Sequence, residues 1–319
     1  MEITQINASY VDDALKILKK KHDSLVSTNR LIPEFSEFPN LFDDVNELFS
    51  IGNGIAAVSN GRLMGFITGF PCPSFFGRSD GVYCPVYGIG LDSTVEPSQI
   101  IDIYSAAAEL WISNKQFTHA VTIFSNEEEI KKSFSWQGFG LRCIDAVTSV
   151  KNIPVKDNDD IKIISSNSAE YEKAAEIHRL HNEYYRSSPI FMPNEDEDYV
   201  KEQEQWISKG NMEWLALRGN EIIGYIRLGK EGENYISCHE SILNIKGMYV
   251  LDSERGRGIA KRLLDETMKY LYEKNYTLCG FDYESINPKG SHFWLKHFEP
   301  YTYSLVRRVD ERIFDYLHT

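Results

Sequence analysis

No stretch of this chain holds the roughly 20 consecutive apolar residues that a membrane-spanning helix needs, so no bilayer embedding is expected. The N-terminal segment MEITQINASYVDDALKILKKKHD lacks the basic-then-apolar order of an export signal. Cysteine is scarce. Cys72, Cys84, Cys143, Cys238 and Cys279 are odd in number, scattered and never in C-x-x-C spacing, which argues against a disulfide framework or a zinc site. These absences lead to the expectation of a cytoplasmic protein. Positive charge is in short supply too: 34 Lys and Arg stand against 47 Asp and Glu, a formal net charge of -13. A general nucleic-acid or membrane-surface binder would carry the opposite balance. Also missing are the G-x-x-x-x-G-K-[ST] phosphate loop and the H-E-x-x-H zinc pattern.

What is present is a globular composition, with 42% hydrophobic, 13% aromatic and 25% charged residues over 319 positions, enough for two domains. The stretch SVKNIPVKDNDDIKII, with its proline and polar cluster, reads as a boundary. The expected domains are 1–150 and 161–319, joined by a linker at 151–160. Both halves are acidic.

In the second half, residues 168–188 and 195–210 read as helices. Residues 212–229 read as a hairpin turning at Gly219-Asn220. A third strand follows at 241–251, with Gly247 hinting at a bulge. A long helix at 258–275 presents Ile259, Leu263, Met268 and Leu271 on one side. A strand at 276–284, a short helix at 288–298 opened by Pro288 and a strand at 301–310 complete the order. The first half repeats this order loosely: a first helix, a hairpin turning at Asn60-Gly61, the strand GVYCPVYGIGL, the helix SQIIDIYSAAAELWISN, the strand HAVTIFS, the short helix NEEEIKKSF and the strand LRCIDAVTSV. The shared order predicts duplication of one α+β unit.

One turn carries chemistry. In MYVLDSERGRGIAKRLL, a strand ends, Arg255, Gly256, Arg257 and Gly258 follow, and a helix begins with Lys261 in its first turn. Helix-start amides lack intrahelical partners and the dipole makes that end positive, so glycines and cations there suit a pyrophosphate. A plain strand-to-helix turn with solvated arginines is the alternative. A G-x-G-x-x-G dinucleotide loop would need glycine where Lys261 stands, and a place after the first strand of a parallel sheet.

The run Arg255, Gly256, Arg257, Gly258, Ile259, Ala260 resembles the [RQ]-x-x-G-x-[GA] loop of the GNAT superfamily of acyl-CoA N-acyltransferases. The resemblance extends over the element order of 161–319 and to Asn287, at the start of a short helix. The first half is similar in order, and its WQGFGLRCIDA resembles the family's closing strand. It has VEPSQ in place of the loop. The resemblance implies an α+β fold of two tandem GNAT-like domains, each a twisted, mainly antiparallel sheet flanked by helices, the first degenerate. It implies acetyl-CoA as co-substrate, with Met248, Tyr249, Val250, Arg255, Gly256, Arg257, Gly258, Ile259, Ala260, Lys261 and Asn287 as its binding residues. It further implies transfer of the acyl group to a primary amine by direct attack in a ternary complex, with a small-molecule acceptor favoured over a protein. The alternatives are a non-catalytic CoA-binding regulatory or interaction module and, more weakly, a nucleotide-binding protein.

The family often places a tyrosine seven positions after the asparagine, to serve the leaving thiolate; here Trp294 stands there. An indole N–H donates a hydrogen bond but does not give up its proton. Tyr283, Tyr301 and Tyr303 are nearby substitutes in sequence. Asp282, Glu284, His239 and Glu240 flank the relevant strands, and no residue is singled out as catalytic. His178 and His181 have i, i+3 spacing without a third ligand in sight, so no metal is expected. Their helix is read as the wall of an acceptor pocket or as surface. The following segment, with Tyr184, Tyr185, Phe191 and Met192, is read as an apolar acceptor wall or as core. The acidic run NEDEDY is read as a solvated helix start that also attracts a cationic acceptor.

Overall fold

A computed structural model describes residues 1–153, 160–166 and 171–317. Two compact units emerge. One comprises Met1–Asp145, Asn234–Ile236 and the chain from Glu299 onward; the other comprises Ala146–Glu233 and Ser237–Phe298. The expected linker at 151–160 falls mostly outside the described residues, at 154–159.

The first unit opens with β1 (Glu2–Gln5) and α1 (Val11–Thr28). Val11, Ala14, Ile17, Leu18, His22, Leu25 and Val26 form the buried stripe of α1, the spacing of a one-faced helix. Then come α2 (Leu41–Ile51), β2 (Gly54–Ser59) and β3 (Arg62–Thr68). The sequence reading did not include α2, although its buried Leu41, Val45, Leu48 and Phe49 recur at helical spacing. The hairpin turns at Asn60 and Gly61 as expected. After β4 (Phe70–Cys72), the strand expected over 81–91 is broken into β5 (Asp80–Cys84) and β6 (Ile89–Leu91). The break at Pro85 lets the two pieces join different ladders: β6 pairs with β3, and β5 with β7. Next are α3 (Ile100–Ser113), β7 (Gln116–Phe124) and α4 (Glu128–Trp136). β8 (Gly140–Ser149) carries the chain onward.

The second unit contains β9 (Lys162–Ser165), α5 (Tyr171–Arg186) and α6 (Tyr199–Ser208). The first residues of the helix expected at 168–188 lie outside the described residues. β10 (Met212–Arg218) and β11 (Glu221–Gly229) form the hairpin about Gly219 and Asn220. β12 (Ile242–Val250), α7 (Ile259–Glu273), β13 (Leu278–Glu284) and α8 (Pro288–Trp294) follow. β9 to β12 run antiparallel to their neighbours, whereas β12 and β13 are parallel. α7 crosses between those two parallel strands, as the geometry of a parallel pair requires. It buries Ile259, Leu263, Leu264, Thr267, Met268 and Leu271. At roughly 1.5–3 kcal/mol for each large apolar side chain, that stripe anchors the N-terminus of α7.

The last strand, β14 (Glu299–Arg308), belongs to the first unit, where it pairs with β7 from Thr302↔Phe124 to Arg308↔Thr118. Element order alone assigns residues 299–319 to the second half. Leu305, 2% exposed, is part of the first unit's core with Val121 and Ile123, and this burial explains where the strand goes. α9 (Ile313–Leu317) ends the described chain. No helix among the described residues is long and apolar enough to cross a membrane.

Candidate functional site

The site begins with an irregularity in a sheet. On β12, Gly247 pairs with Arg227 and Ile245 with Leu228, so Lys246 is an extra residue and the strand bends there, at the bulge that Gly247 had suggested. Pairing with β13 runs from Ile242↔Leu278 to Ile245↔Phe281 and then stops. Beyond that point Lys246–Val250 and Asp282–Glu284 diverge. Side chains alternate along β13, so Phe281 and Tyr283 face one way, stacked with centroids 5.7 Å apart, and Asp282 and Glu284 the other. Two adjoining cavities border the opening, about 380 and 300 Å³ in volume, and both are lined by His181, Tyr185 and Tyr283.

The larger cavity is built around the glycine-arginine turn. Gly256 and Gly258 have φ of +78° and +79°, a region that L side chains avoid; a Cβ at either would meet no atom within 4 Å. Backbone conformation, and not crowding, is the reason for glycine. The amide of Arg262 bonds to the Gly258 carbonyl at 3.1 Å. That is the first intrahelical bond of α7, so the preceding amides point out of the helix start. Arg255 lies over the rings of Tyr184 and Tyr249, at 4.7 and 5.4 Å. Its Nε donates to the Val250 carbonyl at 3.1 Å and its Nη1 pairs with Asp252. Lys261 pairs with Asp265, and Lys289 stands 3.8 Å from Asp252.

Of the eleven residues singled out in the sequence as cofactor-binding, Met248, Tyr249, Val250, Arg255, Gly256, Gly258, Ile259, Ala260, Lys261 and Asn287 line this cavity. Arg257 does not: it is exposed, 3.5 Å from Glu254. Asn287 caps α8, its Oδ1 accepting from the Gly290 amide at 3.1 Å, and also accepts from the Tyr184 hydroxyl at 2.8 Å. Capping and cavity lining are thus combined in one side chain. Trp294 is buried against Phe281, with ring centroids 3.7 Å apart, and lines the same cavity. Tyr184, Lys289 and Phe293 join the lining without having been weighed for it. Lys289 follows Pro288 in the first turn of α8, a position from which its side chain could have been anticipated near the loop.

The smaller cavity is polar. His178, His181, Asn182, Tyr185 and Met192 line it from α5 and the segment after it, whereas Tyr184 lines the larger cavity and Phe191 is exposed. Arg227 reaches in from β11. It donates its Nε to Glu213 at 2.8 Å and both Nη atoms to Glu202 at 2.9 Å. Glu213 is fully buried. Burial pushes its carboxyl up, but the hydrogen bond from His178 and the charge of Arg227 prevail and hold it below the usual range. Burial lowers the pKa of His178, against the hydrogen bond to Glu213 that raises it. His181 bonds to the Tyr225 hydroxyl at 2.6 Å and stacks on Tyr249. Burial, then the neighbouring His178, Arg227 and Arg255, drive its pKa down to about 3. Asp282 is pushed up by burial against the pull of Lys246, whose Nζ lies 3.3 Å away.

Among the other candidates, Asp282, Glu284 and Tyr283 line this cavity, whereas His239 and Glu240 are not in either lining. Tyr301 and Tyr303 belong to the first unit. Among the described residues no group of three or more His, Cys, Asp or Glu could hold a metal ion.

Residues 174–297 match the model of the acetyltransferase (GNAT) family. The fold resembles that of a GCN5-related N-acetyltransferase from Sphaerobacter thermophilus, at 11% identity and a TM-score of 0.63, covering 96% of this chain and 95% of that one. It also resembles the GCN5-related glucosamine N-acetyltransferase region of a fungal multi-domain β-N-acetylglucosaminidase, at 13% identity and a TM-score of 0.55, over 96% of this chain and 38% of that one. No curated protein matches the chain in sequence.

Proposed function

We propose that the second unit, which carries the GNAT domain, binds acetyl-CoA in the larger cavity and transfers the acetyl group to a primary amine entering through the smaller one. The observation that carries this reading is the meeting of the two cavities at His181, Tyr185 and Tyr283, across the gap where β12 and β13 part. The loop fits a diphosphate: two left-handed glycines, outward amides at the start of α7, and Arg255, Lys261 and Lys289 nearby.

When bound, acetyl-CoA supplies the thioester. The amides of Gly256 to Lys261 hold its diphosphate, and Asn287 lies beside the turn that holds them. The edge of β12 at Met248–Val250, released from pairing with β13, offers main-chain groups to an extended arm. One of its carbonyls, that of Val250, is already taken by Arg255. An amide near Tyr249 stabilises developing negative charge on the thioester oxygen. The reaction forms a C–N bond and breaks a C–S bond. The amine's proton goes to a carboxylate on the acceptor face of β13, Asp282 or Glu284. The raised pKa of Asp282 suits it to that task. The thiolate is protonated by the hydroxyl of Tyr283, on the opposite face of the same strand. This replaces the tyrosine that Trp294 displaces. Alignment of the two reactants across the gap accounts for much of the rate, up to roughly 7–11 kcal/mol when positioning is ideal.

The first unit does not bind the cofactor on this reading. At the equivalent place Lys21 Nζ donates to the Ile89 carbonyl of β6 at 2.7 Å, and the turn before α3 offers Glu96 and Pro97 in place of glycine and arginine. Proline has no amide to give, and a glutamate repels an anion.

The test is release of thiol from acetyl-CoA by the full chain in the presence of primary amines. Amine-dependent release is expected. Acetyl-CoA binding without release for any amine would favour the regulatory module.

A further inference from the structure

We infer that the acceptor carries a second protonated amino group besides the one acylated, as a short diamine or polyamine does. The inference rests on the acyl-transfer reading above and concerns the charge balance of the smaller cavity. Two cations face it, and each is already shared by two carboxylates. Arg227 is held by Glu213 and Glu202. Lys246 Nζ lies 2.7 Å from Glu233 and 3.3 Å from Asp282. Glu197 adds to the lining. Burial lowers the pKa of both histidines, so they add little positive charge to this wall. The wall is therefore anionic, next to a cofactor cavity where Arg255, Lys261 and Lys289 outnumber Glu254.

A surplus of partly buried carboxylates is costly unless a cation accompanies it. A monoamine cannot meet that need throughout the reaction, because its nitrogen must be neutral to attack. A second ammonium keeps its charge from binding to product release. An amino acid fits worse still, since the cations described in this lining, Arg227 and Lys246, are each already held by two acidic groups. Tyr185, Tyr199, Tyr225 and Met192 supply apolar surface for the methylenes between the two nitrogens.

Three amines of one carbon length separate the possibilities: 1,4-diaminobutane, n-butylamine and 4-aminobutanoate, whose second groups are positive, neutral and negative. With the full chain and acetyl-CoA, kcat/KM is expected to be at least about 100-fold higher for the diamine than for butylamine, and lowest for aminobutanoate. Calorimetry with 1,4-diaminobutane alone is expected to show binding that weakens as salt rises. Glu197 is exposed, so Glu197→Gln keeps the fold; it is expected to narrow the diamine preference about tenfold through KM. Butylamine or aminobutanoate used as well as the diamine would overturn this inference and leave the acyl-transfer reading intact. No thiol release with any of the three, and no binding of acetyl-CoA, would remove both.

Discussion

Placing a carboxylate at position 258 separates the cost of a strained turn from the loss of an anion site. Gly258 sits at φ +79° and ψ 6° immediately before α7. A β-carbon there meets open space, so only the left-handed backbone opposes substitution, at about 1–2 kcal/mol for most residues. Asp and Asn tolerate that region better than other residues and have nearly the same shape. Gly258→Asn and Gly258→Asp should therefore cost similar stability, about 1 kcal/mol or less, with the aspartate helped slightly by the helix dipole. Their binding should diverge. A unit charge about 4 Å from one phosphate charge is worth about 4 kcal/mol at an effective dielectric near 20. Exposure and salt reduce that to about 2 kcal/mol, or roughly 30-fold in Kd, and a diphosphate adds to it. Titration calorimetry with CoA is the assay, with chemical denaturation of both variants alongside. The aspartate variant is expected to bind CoA at least about 30-fold more weakly than the asparagine variant while unfolding at nearly the same denaturant concentration. If the two variants bind CoA within threefold of each other, the loop does not hold the diphosphate and the reasoning fails.

Other outcomes follow from the same structure. Tyr283→Phe should lower kcat about 10²-fold or more while leaving the Kd for acetyl-CoA nearly unchanged, as thiol-release kinetics and calorimetry would show. CoA titration should give one site per chain, since the turn before α3 offers Glu96 and Pro97 in place of the glycine-arginine loop; two sites would refute that account. Stability should fall on acidification. The pKa of His119 is about 4 and that of His181 about 3, both below the unfolded value near 6.5, chiefly through burial. Below about pH 6.5 the unfolded chain therefore binds more protons, and stability drops as pH falls toward those values. Each group contributes up to about 1.4 kcal/mol per pH unit. Urea unfolding between pH 7 and 4.5 should show this, and His119→Gln should make the slope shallower.

Local order was written in the sequence wherever a short-range rule governs it. The stripe of α7, the turn at Gly219-Asn220, the bulge at Gly247 and the pair of left-handed glycines before a helix follow from side-chain periodicity or from backbone sterics at single residues. The lining of the larger cavity was largely readable for the same reason: ten of its residues lie in one contiguous strand-loop-helix or at the cap of the next helix. The helical spacing of α2 was there to be read as well.

Only the tertiary structure decided what depends on residues far apart in the chain. It put Tyr283 in the lining of both cavities and left Tyr301 and Tyr303 out of them, because β14 is drawn into the first unit by its ladder with β7. It joined Arg227, Glu202, Glu213 and His178, from four different segments, into one buried network. It set Lys246 against Asp282 across a gap that exists only because two parallel strands stop pairing. Spacing along a chain records which neighbours share a face. Where two strands diverge, and which charges are then brought together without water, is set by packing among segments that no local pattern connects.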